Sequence, residues 1–316
     1  MAAIAAAGSL GWVVYRDDRL PATDADVSVA DGSSVNDMAH QLEAQRVIAD
    51  ATLLDAYFRL RGGADRIQAA AYAFPAHETI AQVAARLLAG GKPPVVWITI
   101  PEGYTAAQIG RKLDAAGLVS ESSFASAART RSLLVAGVLT AGLEGYLFPD
   151  TYQIPRRTTA GDVADIMTHR FLAELPPDAV TAARHLRMSV PQIVTIASMI
   201  EREAKVDAER PVIASVIYNR LRIGMPLEID ATIEYALPRH KTALSFADLA
   251  IDSPYNTYRH PGLPPTPISN PGKASLLAAF HPASTPYLYY VYKGGGRHVF
   301  STTLEQQQEN IRRYLR

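Results

Sequence analysis

The sequence predicts an α+β protein: a small strand–helix–helix–strand module at the front and a larger mixed α+β region behind it. Three observations carry that prediction. Helical periodicity recurs from Ser34 onward, with Ser or Thr placed before the apolar series. Short β-branched or aromatic runs precede several of these series, and glycines close them. The 316 residues, 48% apolar and 20% charged, suffice for two or three domains and a substantial core.

The first element is a strand at Val27–Ala30, followed by a helix signalled by Ser34, Met38 and Leu42. A strand at Ile67–Phe74 precedes Thr79, Val83 and Leu87, and one at Pro94–Ile100 precedes Thr105, Ile109 and Leu113. Each hydroxyl stands where a helix N-cap is needed, and spacing of four keeps the apolar residues near one face. Another helix is expected from Thr52 to Leu60. The resulting βααβ layout over residues 27–93 resembles a LysM domain, a small glycan-binding module; a generic α+β module shares that layout.

Residues 94–316 form the larger region. Helices are expected at Thr105–Gly117, Ser122–Ala128, Thr159–Leu175, Val190–Ala204, Asp207–Ile223, Leu244–Ala250, Lys273–Phe280 and Thr303–Leu315. "YLYYVYKGGGRHVFST" reads as a hairpin, and Thr302 with Glu305 as a capping box for the last helix. Tyr287, Tyr289, Tyr290 and Tyr292 suit either a sugar site or a half-buried strand surface.

Composition excludes several functional classes. Acidic and basic residues balance at 31 each, so no global positive field favours nucleic acid. The chain has no cysteine, and its eight histidines show no metal-ligand spacing, so neither thiolate chemistry nor a zinc site is expected. Met1–Tyr15 carries no charge, and Arg16, Asp17, Asp18 and Arg19 then follow together. That run is shorter than the ~20 residues that span a bilayer. We expect residues 1–19 to be the end of a membrane anchor, with Trp12 and Tyr15 in the interfacial belt, and 20–26 to be a linker.

"IASMIEREAKVDAERP" holds the main chemical candidates. On a helix, Ile193, Ile196, Ala197, Ile200 and Ala204 form one stripe, and Arg202 points away from it. Glu201 and Glu203 lie on opposite shoulders. Desolvation there would favour a protonated carboxyl able to act as a general acid, whereas Arg202, Lys205 or Arg210 could equally pair with either one. Spacing alone leaves both acids, and both readings, open. Asp207 can cap a following helix, and Glu228, Asp230 and Glu234 are further acids. "SPYNTYRHPGLPP" places Tyr255, Asn256, Tyr258 and Arg259 in a stiff loop suited to stacking and hydrogen-bonding sugars, or simply to holding its own shape.

Five ordered segments resemble one family: "TIPEGYTAAQIGRKL", "LEGYLFPDTY", "IASMIEREAKVDAERPVIASVIYNRLRIGMPLEIDATIEYAL", "SPYNTYRHPGLPPTPISNPG" and "HPASTPYLYYVY". These are similar to YceG-like endolytic murein transglycosylases. The resemblance implies a lyase that cuts the β-1,4 bond between N-acetylmuramic acid and N-acetylglucosamine within nascent strands. It would leave 1,6-anhydro ends, terminating strand elongation without a metal or organic cofactor. It also implies a single-pass inner-membrane protein with a LysM-like module and a periplasmic catalytic domain. Peptidoglycan strands are the implied partner, with peptidoglycan synthases as candidates. We read the match as placing the catalytic glutamate at Glu201, with Tyr255, Asn256, Tyr258, Arg259, Asp230 and Thr232 on the substrate. Arg202 stands where the family usually has Lys, and Ala231 where it often has Pro. The alternatives are a muramidase-type hydrolase using Asp230 as base, and a non-catalytic wall-binding assembly protein.

Overall fold

The structure, a computed structural model, describes residues 24–92, 95–237, 239, 241 and 243–315. The anchor expected over 1–19 lies outside these residues, as does most of the expected linker. Among the described residues no helix is long and apolar enough to cross a membrane. The chain divides into two compact units, Met1–Val96 with Pro155–Arg157 and Trp97–Ile154 with Thr158–Arg316. The fold is mixed α+β, as predicted.

In the first unit, β1 (Ala25–Val29) is followed by α1 (Val35–Ala44) and α2 (Ala51–Arg61). Strand β2 (Ala70–Phe74) then returns antiparallel to β1, with Val27 opposite Tyr72, and α3 (Ile80–Ala89) follows. Alternate strand residues are buried, giving the two-stranded sheet one core face. Met38, Leu42, Leu54, Phe58, Val83 and Leu87 pack there. Ser34 and Thr79 each close a capping box, with Asp37 and Gln82. The ladder begins at Ala70 and not at Ile67, because a 3₁₀ turn at Ala64–Arg66 occupies the approach.

Most of β3 (Val95–Thr99) belongs to the second unit. It is followed by α4 (Ala106–Ala115), α5 (Glu121–Thr130) and a small hairpin of β4 (Leu134–Val135) and β5 (Val138–Leu139). Strand β6 (Thr151–Pro155) pairs with β3. Next come α6 (Ala160–Glu174), α7 (Ala179–Leu186), α8 (Val190–Glu203) and α9 (Arg210–Arg222). Helices α10 (Asp230–Ala236), α11 (Phe246–Leu249) and α12 (Lys273–Phe280) precede the β7 (Tyr289–Gly294)–β8 (Arg297–Ser301) hairpin and α13 (Leu304–Tyr314). Two caps differ from expectation. A 3₁₀ turn at Asp207–Glu209 leads into α9, and Asp207 accepts from Arg210 Nε instead of capping. Thr303, not Thr302, caps α13, because Gln306 presents the N–H that the hydroxyl accepts.

Helix α8 is central. Val190 and every residue from Ile193 to Ile200 are buried, where the sequence shows only one apolar stripe. Helices α7, α9, α10 and α12 all pack on it, so its small back-face residues meet protein instead of water. Ser198 is fully buried there: its hydroxyl donates to Thr195 O at 2.7 Å and accepts from Ile268 N at 3.0 Å. Ser269 Oγ donates to Ser198 O, fixing the strap 268–272 along the helix.

Asn270, also fully buried, ties that strap to two other loops. Its Oδ1 accepts from Gly145 N and Leu147 N, and its Nδ2 donates to Tyr104 O and Glu144 Oε1. Gly145 has φ +90°, and a Cβ there would overlap Pro267 of the strap. The backbone at Gly145 is therefore closed to other residues on both conformational and steric grounds. Asn270→Ala leaves the N–H groups of Gly145 and Leu147 without their partner and removes one of the donors to Tyr104 O and to the Glu144 carboxyl. It is expected to cost about 2–4 kcal/mol, measured as a lowered urea midpoint with unchanged slope.

Candidate active site

The last turn of α8 emerges from the core carrying two carboxyls in contrasting surroundings. Glu201 is clamped. Its Oε1 accepts from Arg210 Nη1 at 3.2 Å and its Oε2 from Gly272 N at 2.9 Å. The two side chains are only 6% and 9% exposed, so this is a buried ion pair. Arg210 also donates to Asp207 and to Ser275 Oγ. Burial, followed by the charge of Glu201, raises the carboxyl of Glu102 above its ordinary range.

Glu203 is met by a phenol and not by a guanidinium. Tyr290 of β7 donates its hydroxyl to Glu203 Oε2 at 3.0 Å. Burial pushes Glu203 up to about 7, and the negative charges of Asp230 and Glu234 add to that; the Tyr290 hydrogen bond and Lys205 act in the opposite direction. Among the described residues no donor reaches Oε1, and no buried side-chain polar atom lacks a partner. Oε1 is therefore without a partner among the described residues and not fully enclosed. A carboxyl that holds a proton near neutrality and has one unpartnered oxygen is equipped for proton transfer.

Asp230 begins α10 and accepts from Tyr258 OH at 2.6 Å. Its charge acts on Glu203, and that of Glu203 acts on Tyr258. The structure thus brings Asp230 and Tyr258 together with Glu203 and Tyr290. The other sequence candidates are Tyr255, Asn256 and Arg259 of the loop after α11, and Thr232 of α10. Asn256 is fully buried; its Nδ2 donates to Leu249 O and Ile251 O, and its Oδ1 accepts from Tyr258 N. Thr232 is also fully buried, with its hydroxyl shared between Ile229 O and Thr257 Oγ1. Tyr255 OH bonds Thr266 Oγ1 at 2.7 Å and its ring packs against Tyr235, while the exposed Arg259 donates to Ala250 O.

Two contributors, Tyr290 and Arg220, stand out only in three dimensions, and a third, Glu144, lies in the segment "LEGYLFPDTY". Tyr290 is one of four closely spaced tyrosines, and pairing in the hairpin selects the one that faces Glu203. Arg220 donates to Leu288 O, Pro226 O and Leu227 O and lies 5.2 Å from the Tyr289 ring centroid. It thereby joins the hairpin to the approach of α10. Glu144 accepts from Ala106 N and Asn270 Nδ2, and burial raises it to about 7. The "LEGY" segment signalled this acid, and its bonds are of the fold-holding kind.

Residues 27–313 match the YceG-like family. The chain belongs to the YceG-like family. Its relatives include an endolytic murein transglycosylase of Bacillus subtilis, 32% identical over 93% of this chain and 85% of the relative. One from Streptococcus pneumoniae is 29% identical over the whole chain, which spans 64% of that relative's length. The crystal structure of a YceG-like protein from Listeria monocytogenes aligns over 92% of this chain and 100% of its own, at 30% identity and a TM-score of 0.61.

The two glutamates of this YceG-like chain are expected to respond oppositely to amide substitution. Glu201→Gln strips the guanidinium of Arg210 of its buried counter-charge, a loss on the order of 2–4 kcal/mol. Glu203 has a native pKa of about 7 against an ordinary 4.5, so its ionisation removes native stability as pH rises through that interval. Glu203→Gln is therefore expected to match or exceed the parent's stability at a pH of about 8. Thermal unfolding of both variants checks the two signs.

Proposed function

We propose that the chain is an endolytic murein transglycosylase in which Glu203, and not Glu201, is the general acid. Membership of the YceG-like family, with relatives bearing that name, supports the activity. The carrying observation for the acid is the contrast at the end of α8. Each oxygen of Glu201 already accepts a hydrogen bond, one from Arg210 and one from Gly272. Burial pushes Glu203 up to about 7, and its Oε1 accepts no hydrogen bond among the described residues.

The chemistry needs one such group. Protonated Glu203 donates to the glycosidic oxygen as the bond from C1 of the muramoyl residue breaks. The C6 hydroxyl of that residue then bonds to C1 and returns its proton to the carboxylate. No water is consumed, and the new end is a 1,6-anhydro sugar. Tyr290 orients the acid, and Tyr258 holds the neighbouring Asp230. Asp230 supports a second reading, in which it activates water and the enzyme is a hydrolase, since glycosidases commonly use two carboxyls.

The finer architecture of the proposal follows the sequence. The βααβ arrangement of the first unit supports a LysM-like glycan-binding module over 27–93, with the catalytic domain over 94–316. An anchor over 1–19 would hold the enzyme at the inner membrane, acting outside the cytoplasm on nascent strands beside the synthases. In this proposal Asp230, Tyr258 and Arg259 line the route of the strand, while Tyr255, Asn256 and Thr232 shape the loop that carries it.

Mass spectrometry of products from glycan strands tests the assignment. The parent is expected to give ends lighter by one water than hydrolytic ends; hydrated ends would favour the hydrolase. Glu203→Gln is expected to lose at least about 10²-fold in turnover. Folded Glu201→Gln should stay within about tenfold of the parent, and the reverse order would return the acid to Glu201. The acid must be protonated, so turnover is expected to fall as pH rises through about 7. Tyr290→Phe removes a bond that favours the carboxylate, so the falling limb should move to higher pH.

A further inference from the structure

A cavity of about 410 Å³ lies in the second unit beside the Glu203 cluster, and the proton transfers assigned to Glu203 do not use it. Three helices line it. Helix α4 contributes Gln108 and Arg111, the last turn of α8 contributes Arg202, and α10 contributes Glu234 and Tyr235; Glu144 reaches it as well. Arg202 immediately precedes Glu203 in the chain, and the charge of Glu234 acts on Glu203. The Glu-Arg-Glu turn thus presents its middle residue to this cavity, while its two glutamates meet Gly272 and Tyr290.

Two cations and two carboxyls line the cavity, and their partners set its charge. Arg202 Nη2 donates to Glu234 Oε2 at 2.7 Å, so those two charges offset each other. Glu144 already accepts from Ala106 N and Asn270 Nδ2, and burial raises it to about 7, which reduces its average charge near neutrality. Arg111 is left. Its one bond among the described residues is to Glu121 Oε1, at 3.3 Å, and Glu121 does not line the cavity. Both side chains of that pair are well exposed, 57% and 44%, so water screens the attraction. The cavity therefore offers an anion the unused N–H donors of two guanidiniums, whose planar forks suit a carboxylate.

Murein carries that group. Its sugar rings are uncharged, but each muramoyl residue can bear, through the lactyl group on C3, a peptide stem with free carboxylates. A sugar ring itself is better held on an open aromatic face, and the cavity's one aromatic side chain among the described residues, Tyr235, packs its ring on Tyr255 at 5.0 Å. Resting on the reading of the chain as a murein transglycosylase, we propose that this cavity is a peptide-stem subsite in which Arg111, with Arg202, receives a stem carboxylate. The stem bound there holds the muramoyl residue while Glu203 acts on the glycosidic oxygen at its C1.

The probe is a muramoyl peptide, a single N-acetylmuramic acid bearing its stem, which has no bond between sugars to cut. Titration calorimetry on the full chain is expected to show the probe binding about tenfold or more tightly than the same molecule with its stem carboxylates converted to carboxamides. Arg111→Gln is expected to weaken binding of the acid form about tenfold and to bind the two forms alike. Arg312→Gln makes the same charge change at an exposed residue of α13 outside the cavity, and should keep the parent's preference. On glycan strands, removing the stems should raise the parent's KM about tenfold with kcat within about twofold, as expected when uniform binding is lost. Equal binding of the two probe forms, a preference that survives Arg111→Gln, one that Arg312→Gln also abolishes, or a KM indifferent to the stems would each overturn the proposal. Preference for the acid form in a chain that cuts no strand would keep the subsite and remove the transglycosylase reading.

Discussion

The second unit is organised by a helix that has almost no water-facing side until its last turn. With Ile193 to Ile200 enclosed, a polar group on α8 must find its partner inside the protein. Ser198 does so by binding the strap at 268–269, and the strap in turn delivers Asn270 and Gly272 to fixed positions. Asn270 then joins the loops at 103–104 and 144–147. One enclosed helix thereby specifies where several distant chain segments must run.

The same constraint separates the chemistry of two glutamates that are two residues apart. Helical geometry sends them to different sides as α8 leaves the core. One side meets Arg210 on α9 and the backbone N–H of Gly272, which together occupy both carboxylate oxygens. The other meets β7, whose Tyr290 supplies a single neutral donor while nearby acids disfavour ionisation. Burial is what raises the Glu203 carboxyl, and the single phenol bond only partly offsets it. Neighbours contributed by distant segments give the two carboxyls their different surroundings.

Residue types that look suited to sugar binding divide in a similar way. Asn256 and Thr232 carry the right groups, yet backbone groups engage Asn256, and Ile229 O with the Thr257 hydroxyl engages Thr232. A buried amide or hydroxyl is worth more to the fold as a satisfied bond than as a free donor. Tyr258 and Asp230 escape this because their pair forms at the edge of the Glu203 cluster.

The sequence by itself determined the α+β class, the N-caps at Ser34, Thr79 and Thr105, the faces that bury Met38, Val83 and Ile109, and the C-terminal hairpin. These follow from local periodicity and from backbone groups satisfied within a few residues. Its ordered segments also carried the family. It narrowed the acid to Glu201 or Glu203 and could go no further from spacing, because both sit on equivalent shoulders of one stripe. Only the tertiary structure enclosed α8, spent Asn256 within its loop, and set Arg210 against one acid and Tyr290 against the other. Those outcomes depend on contacts between residues far apart in the chain, where burial and charge act through space.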